Sequence, residues 1–167
     1  FVNVPQNSVD VGHVFLIPGG PSPFGDVDLS NYPGFYMIRR ALSNSFASKV
    51  SVAGDVNGDG IDDLIIGAPE STYLDRTKCG MAYIVFGKPW DRSGSLDVST
   101  IANNNTLGFV IYGESANDEL GYAVSGGGDV NGDGFADIIV GAAAASGGSV
   151  SGAGITYIIF GSAYPTS

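Results

Sequence analysis

Two nine-residue stretches concentrate the residues best suited to chemistry: Asp55-Val56-Asn57-Gly58-Asp59-Gly60-Ile61-Asp62-Asp63 and Asp129-Val130-Asn131-Gly132-Asp133-Gly134-Phe135-Ala136-Asp137. Both read D-x-N-G-D-G-x-x-D. Short Asp and Asn side chains at alternate positions of a tight loop are hard oxygen donors, and Ca²⁺ takes about six to eight of these. The first donor set is the side chains of Asp55, Asn57 and Asp59, the backbone carbonyl of Ile61, and Asp63 through both oxygens. The second is Asp129, Asn131, Asp133, the carbonyl of Phe135, and Asp137. A metal-free turn rich in Gly, Asn and Asp is the alternative. It explains the glycines but leaves three carboxylates raising one another's pKa values. An EF-hand loop opens in a similar way. Its twelfth position would be Glu, whereas Ile66 and Val140 stand there, on strand-like flanks. The expectation is two structural Ca²⁺ sites.

Composition narrows the function classes. The chain has 167 residues, 44% hydrophobic and 14% charged, which describes an ordered globular protein. Its net charge of -10 and only 7 Lys+Arg argue against nucleic acid, which needs a basic surface. Six of the 17 acids are loop donors, so part of the acidity is metal-site charge. No apolar run is long enough for a membrane helix, and no signal peptide opens the chain. Cys79 is the single cysteine and reads as a small hydrophobe.

The elements that must position these loops repeat. The offset of 74 between the loops also maps Gly34-Phe35 onto Gly108-Phe109, Phe46-Ala47 onto Leu120-Gly121 and Gly67-Ala68 onto Gly141-Ala142. It maps Tyr83-Ile84-Val85-Phe86-Gly87 onto Tyr157-Ile158-Ile159-Phe160-Gly161 as well. A duplicated unit follows. The segment Gly12 to Gly19 resembles Gly80 to Gly87 and marks the remnant of an earlier copy. Short runs rich in Val, Ile, Tyr and Phe, bounded by Gly, Asn, Asp and Ser, predict an all-β fold. Strands are expected near 12–17, 34–39, 46–53, 63–68, 80–86, 107–112, 120–126, 137–142 and 153–160. Leu64-Ile65-Ile66 and Ile138-Ile139-Val140 do not alternate, so both faces of those strands should be covered, as in stacked sheets.

Four strands per unit and stacked sheets describe β-propeller blades. The units resemble FG-GAP repeats, the blades of the integrin α-subunit propeller. Phe46-Ala47 and Leu120-Gly121 stand at the FG position, Gly67-Ala68-Pro69 is an intact GAP, and Gly141-Ala142-Ala143 is a degraded one. The resemblance places each calcium loop between the first and second strands of a blade. It divides the chain into the last two strands of a preceding blade plus a connection (1–45), a complete blade (46–113) and the first three strands of a further blade (114–167). Propellers need about four to eight blades, roughly 300 residues at this repeat length. About two and a quarter blades therefore form an incomplete propeller, completed by the rest of a longer polypeptide or by further copies.

The functional expectation is a non-enzymatic, calcium-binding, extracellular or cell-surface segment for protein recognition, cell adhesion or surface assembly. The alternatives are a filament or surface-layer building block through shared blades, and a non-catalytic accessory propeller of a carbohydrate- or lipid-active enzyme. His13 is the only histidine, so a Ser-His-Asp arrangement has little support. No pair among Glu70, Asp75, Glu114, Asp118 and Glu119 is singled out for glycoside chemistry. The resemblance implies that protein or glycan partners meet the face opposite the calcium loops. There Tyr73, Arg76, Arg39 and Arg40 are of the types that anchor interfaces. Asn104-Asn105-Thr106 fits a glycosylation sequon at Asn104. Trp90 is expected in a long loop, 88–107, on the calcium side, covering the blade below. Leu96-Asp97-Val98 within that loop, like Val27-Asp28-Leu29, reads as a recurring edge segment.

Overall fold

The computed structural model describes residues 12–17, 36–40, 45–89 and 94–163. Its strands are β1 (His13–Leu16), β2 (Tyr36–Arg39), β3 (Lys49–Gly54), β4 (Asp63–Ala68), β5 (Met81–Val85), β6 (Gly94–Asp97), β7 (Gly108–Tyr112), β8 (Leu120–Gly128), β9 (Asp137–Ala142) and β10 (Ile155–Ile159). One 3-10 helix, η1 (Val98–Asn103), follows β6. Trp90, Val27-Asp28-Leu29 and Gly34-Phe35 lie outside the described residues.

The strands form three sheets, ordered β1-β2-β6, β3-β4-β5-β7 and β8-β9-β10. All pairings are antiparallel except β2 with β6, which is parallel. The fold is all-β, as the residue pattern predicts: a few incomplete propeller blades. Two cores separate the sheets. Val14, Ile38, Phe46, Ile66, Tyr83 and Val85 meet between the first and second sheets. Ile65, Ile84, Phe86, Leu120, Ile138 and Val140 meet between the second and third. The middle sheet is therefore covered twice, which is why β5 is buried at every position. β10 has a similar sequence, but its exposure alternates because one face of the third sheet is open.

Two features depart from the expectation. First, the strand foreseen from residue 46 begins at Lys49, because Ala47 adopts a φ of 64° and turns the chain. Gly121, at the same place in the next unit, has a φ of 87°. The second residue of the FG position thus needs the left-handed region, where Ala is strained and Gly is not. Second, the 88–107 loop is not irregular throughout. Its Leu96-Asp97 lies in β6, which crosses to the first sheet, and Asp97 then caps η1 by accepting from the Ser99 N–H at 3.0 Å.

Candidate functional site

The first aspartate loop joins β3 to β4 and the second joins β8 to β9, so both lie on one rim of the stack. Asp55 curls its loop by accepting from the N–H groups of Gly58 at 2.7 Å, Asp59 at 3.0 Å and Gly60 at 2.8 Å. The Asn57 carboxamide donates to Asp59 at 2.9 Å, and Asp59 accepts from the Ile61 N–H at 2.9 Å. The second loop repeats this pattern. Asp129 accepts from Gly132, Asp133 and Gly134, Asn131 donates to Asp133, and Asp133 accepts from Phe135. Positive φ at Gly58 and Gly60, matched at Gly132 and Gly134, lets the backbone N–H groups converge on one carboxylate.

Asp63 and Asp137 differ from the other four acids. Both are fully buried. Asp63 accepts from the Val56 N–H at 2.9 Å through one oxygen and from the Gly87 N–H at 2.7 Å through the other. Asp137 does the same for Val130 at 2.7 Å and Gly161 at 2.9 Å. Each carboxylate thus ties the loop to the strand end that follows the third strand of its own sheet. Burial pushes the Asp63 carboxyl up to about 6, two backbone N–H bonds oppose that, and the charges of Asp59 and Asp55 add to it. A buried acid with like charges nearby is an environment that a cation would relieve.

The donor set is all oxygen and fits a hard cation. Yet among the described residues no three His, Cys, Asp or Glu side chains converge as a group able to hold a metal ion. Backbone N–H groups bond the carboxylates of Asp55, Asp59 and Asp63 and offset only part of their mutual repulsion. Asn57 and the Ile61 carbonyl stand beside them in the loop.

On the opposite rim, the expected anchors mostly work within the molecule. Tyr73 stacks on Tyr112 with ring centres 3.8 Å apart, and the Arg76 guanidinium lies 5.2 Å from the Tyr73 ring. Arg76 donates to the carbonyls of Gly113 at 2.6 Å and Glu114 at 3.2 Å, lashing the 70–79 loop to the end of β7. Arg40 lies 5.3 Å from the Tyr83 ring and donates to the Met81 sulfur at 3.0 Å. Arg39 is exposed, opposite His13 on one side and Asp97 on the other. Asn104 is exposed at the end of η1 and accepts from Thr106. Cys79 is buried with its sulfur 3.7 Å from the Ser71 carbonyl. His13 is exposed on β1 and stacks against Phe15. No catalytic constellation forms among the described residues, and none of their helices is long and apolar enough to cross a membrane.

Sequence reasoning passed over one functional glycine contact. A Cβ on Gly67 would lie 2.1 Å from the Gly121 carbonyl oxygen, and one on Gly121 would lie 2.4 Å from the Met81 carbonyl oxygen. The GAP glycine of one unit thus receives the FG glycine of the next. The family profile described as FG-GAP repeat matches residues 46–85 and 120–159, the two segments that make this contact. These segments are FG-GAP repeats. They are homologous to the propeller blades of integrin α subunits. Identity is 31% to integrin alpha-5 of Xenopus laevis over 143 residues, which is 84% of this chain and 12% of that protein. It is 35% to integrin alpha pat-2 of Caenorhabditis briggsae over 104 residues, 58% of this chain and 7% of that protein. It is 31% to phosphatidylinositol-glycan-specific phospholipase D of Bos taurus over 136 residues, 80% of this chain and 15% of that protein. The FG-GAP segment therefore spans a small part of each of these relatives.

Proposed function

We propose that this FG-GAP chain is a calcium-braced segment of an extracellular β-propeller whose loops serve recognition, adhesion or surface assembly. The observation that carries the reading is the homology of its two stacked repeats to integrin α blades. The metal's part is structural: Asp55, Asn57, Asp59, the Ile61 carbonyl and Asp63 would hold one Ca²⁺, and Asp129, Asn131, Asp133, the Phe135 carbonyl and Asp137 the other. Bound Ca²⁺ supplies charge compensation and cross-links each loop. With dissociation constants of about 10⁻⁴ to 10⁻³ M, millimolar Ca²⁺ adds roughly 1 kcal/mol per site. Two sites should raise the melting temperature by on the order of 5 °C. Calorimetry with and without EDTA checks this; coincident curves would refute the calcium sites. Asp59→Ala and Asp133→Ala should each remove about half of the calcium response.

Propeller completion has support in unequal burial of equivalent residues. Val56 is 1% exposed and Val130 is 53%; Phe86 is 6% exposed and Phe160 is 56%. The third sheet thus presents the face that, in the second sheet, receives another blade. A further FG-GAP blade, from the same polypeptide or another copy, is the proposed cover. Partners are proteins or glycans, met on the rim opposite the aspartate loops, with Arg39 the most accessible of the four anchors. A surface coated with the chain should retain cells or glycan-array ligands. Retention of neither would remove the recognition reading and leave assembly, which sedimentation tests as concentration-dependent growth. The likeness to the phospholipase D favours a second reading, in which the blades are a non-catalytic accessory propeller of a lipid-active enzyme.

A further inference from the structure

We propose that the outer edge of β7 is an acceptor for a second strap, an extended segment of the Gly94–Asn103 kind that runs parallel to β7. The first interface shows what such a strap does. β6 leaves the loop after β5 and pairs in parallel with β2 of the preceding sheet, with Ile38 opposite Leu96 and Arg39 opposite Asp97. Leu96, Val98 and Ile101 are buried there and seal the core between the first and second sheets. Beneath them Ile38 is fully buried, and Met81, Tyr83 and Val85 across the interface are closed as well.

The second interface is built alike but, among the described residues, lacks this seal. Gly12 and Gly80 hold equivalent places, since a Cβ on either would lie 2.2 Å from the carbonyl oxygen of the FG-position residue of the next unit, Phe46 or Leu120. Counting from them, Val14 corresponds to Ala82, and their ladder partners Ile38 and Ile111 correspond in turn. Ile111 is only partly buried. So are Ile155, Tyr157 and Ile159, the counterparts of Met81, Tyr83 and Val85. On its other side β7 pairs with β5, and no described strand takes the outer edge that β6 takes on β2. An edge that no described strand takes is a template for one more strand.

The chemistry of the occupant is set by the strap already present. By the register of β6 on β2, a leucine falls opposite Ile111 and an aspartate opposite Tyr112. The aspartate caps a 3-10 turn, and the following Val and Ile lie over Ile155 and Tyr157. The connection is of a length this fold already uses. Gly94 follows the end of β5 at Val85 by nine positions, and the first position after Ser167 would follow the end of β10 at Ile159 by nine. The inference rests on the blade-stacking reading only for what delivers the strap. The acceptor edge is separate from the open face bearing Ile158 and Phe160, so the two are tested apart.

The test appends the sequence of Gly94–Asn103 directly after Ser167 of the chain. Hydrogen exchange at the outward-facing Gly108, Val110 and Tyr112 amides should slow about tenfold or more, and the melting temperature should rise. A fused copy carrying the Leu96→Asp change should leave both at their values in the unextended chain. The acceptor assignment is overturned if the unaltered fusion leaves the β7 amides as fast as before. It is equally overturned if protection falls on the open face of the third sheet, or if the fused segment displaces β6 from β2.

Discussion

Gly67→Ala should destabilise the chain by on the order of 3 kcal/mol, while the same change at the equivalent position, Gly141→Ala, should leave stability unchanged or raise it. Neither glycine has a positive φ, so backbone conformation does not require glycine at either place. In a strand, alanine is favoured over glycine by roughly 0.5–1 kcal/mol because glycine loses more conformational freedom on folding. That gain is open to Gly141, whose added Cβ would make an ordinary contact of 3.5 Å with the Ala123 Cβ. At Gly67 the added Cβ would meet the Gly121 carbonyl oxygen at 2.1 Å, and backbone cannot rotate out of the way as a side chain can. The second and third sheets must then part, opening the core that Ile65, Ile84 and Val140 share. At roughly 2–4 °C per kcal/mol for a chain of this size, Gly67→Ala should lower the midpoint by on the order of 10 °C. Calorimetry of the two variants decides: equal and small changes would mean that the close blade contact does not set the packing. In a preparation where a further blade covers the third sheet, Gly141→Ala should become destabilising too, which makes this pair a test of propeller completion.

Most of this architecture was legible because the repeat writes it twice. The strands from Asp63, Met81, Asp137 and Ile155 lie where apolar runs and turn residues predicted them. The non-alternating Leu64-Ile65-Ile66 announced two-sided cover. What stayed illegible depended on partners far along the chain. β6 is short, and nothing in Gly94-Ser95-Leu96-Asp97 states that its hydrogen bonds go to β2, more than fifty residues earlier. Asp97 followed by Ser99 and Thr100 was the readable signal of a cap, masked because η1 is too short to show a helical period. Within the loops, residue types identified an oxygen-rich cluster but not its internal division of labour. Spacing makes Asp55, Asp59 and Asp63 look alike, whereas burial separates the last from the first two. The anchors Tyr73, Arg76 and Arg40 illustrate the same limit, since an aromatic or an arginine has the same letter whether it faces a partner or a neighbouring strand.

That separation gives the second large expected effect. In calcium-free buffer Asp63→Ala should cost about 2–4 kcal/mol, because it strands the N–H groups of Val56 and Gly87, each worth roughly 1–3 kcal/mol when buried without an acceptor. Part of that cost is offset at neutral pH. The Asp63 carboxyl is pushed up to about 6, so its ionised form costs the folded state some stability that alanine returns. Asp137→Ala removes the corresponding bonds to Val130 and Gly161 and should cost less. Val130 is 53% exposed where Val56 is 1%, so water replaces the lost acceptor more readily. Asp59→Ala, in an exposed part of the loop, should change the calcium-free stability by no more than about 0.5 kcal/mol. Thermal melts of the three variants in EDTA give the order Asp63→Ala, Asp137→Ala, Asp59→Ala from least to most stable. If Asp63→Ala and Asp59→Ala melted together in EDTA, the buried carboxylate would be a metal ligand only. Retention of a large gap between them would instead mean that Asp63 fastens loop to sheet before any cation arrives, leaving Asp55, Asn57 and Asp59, which are bonded only within their own loop, to rearrange toward calcium.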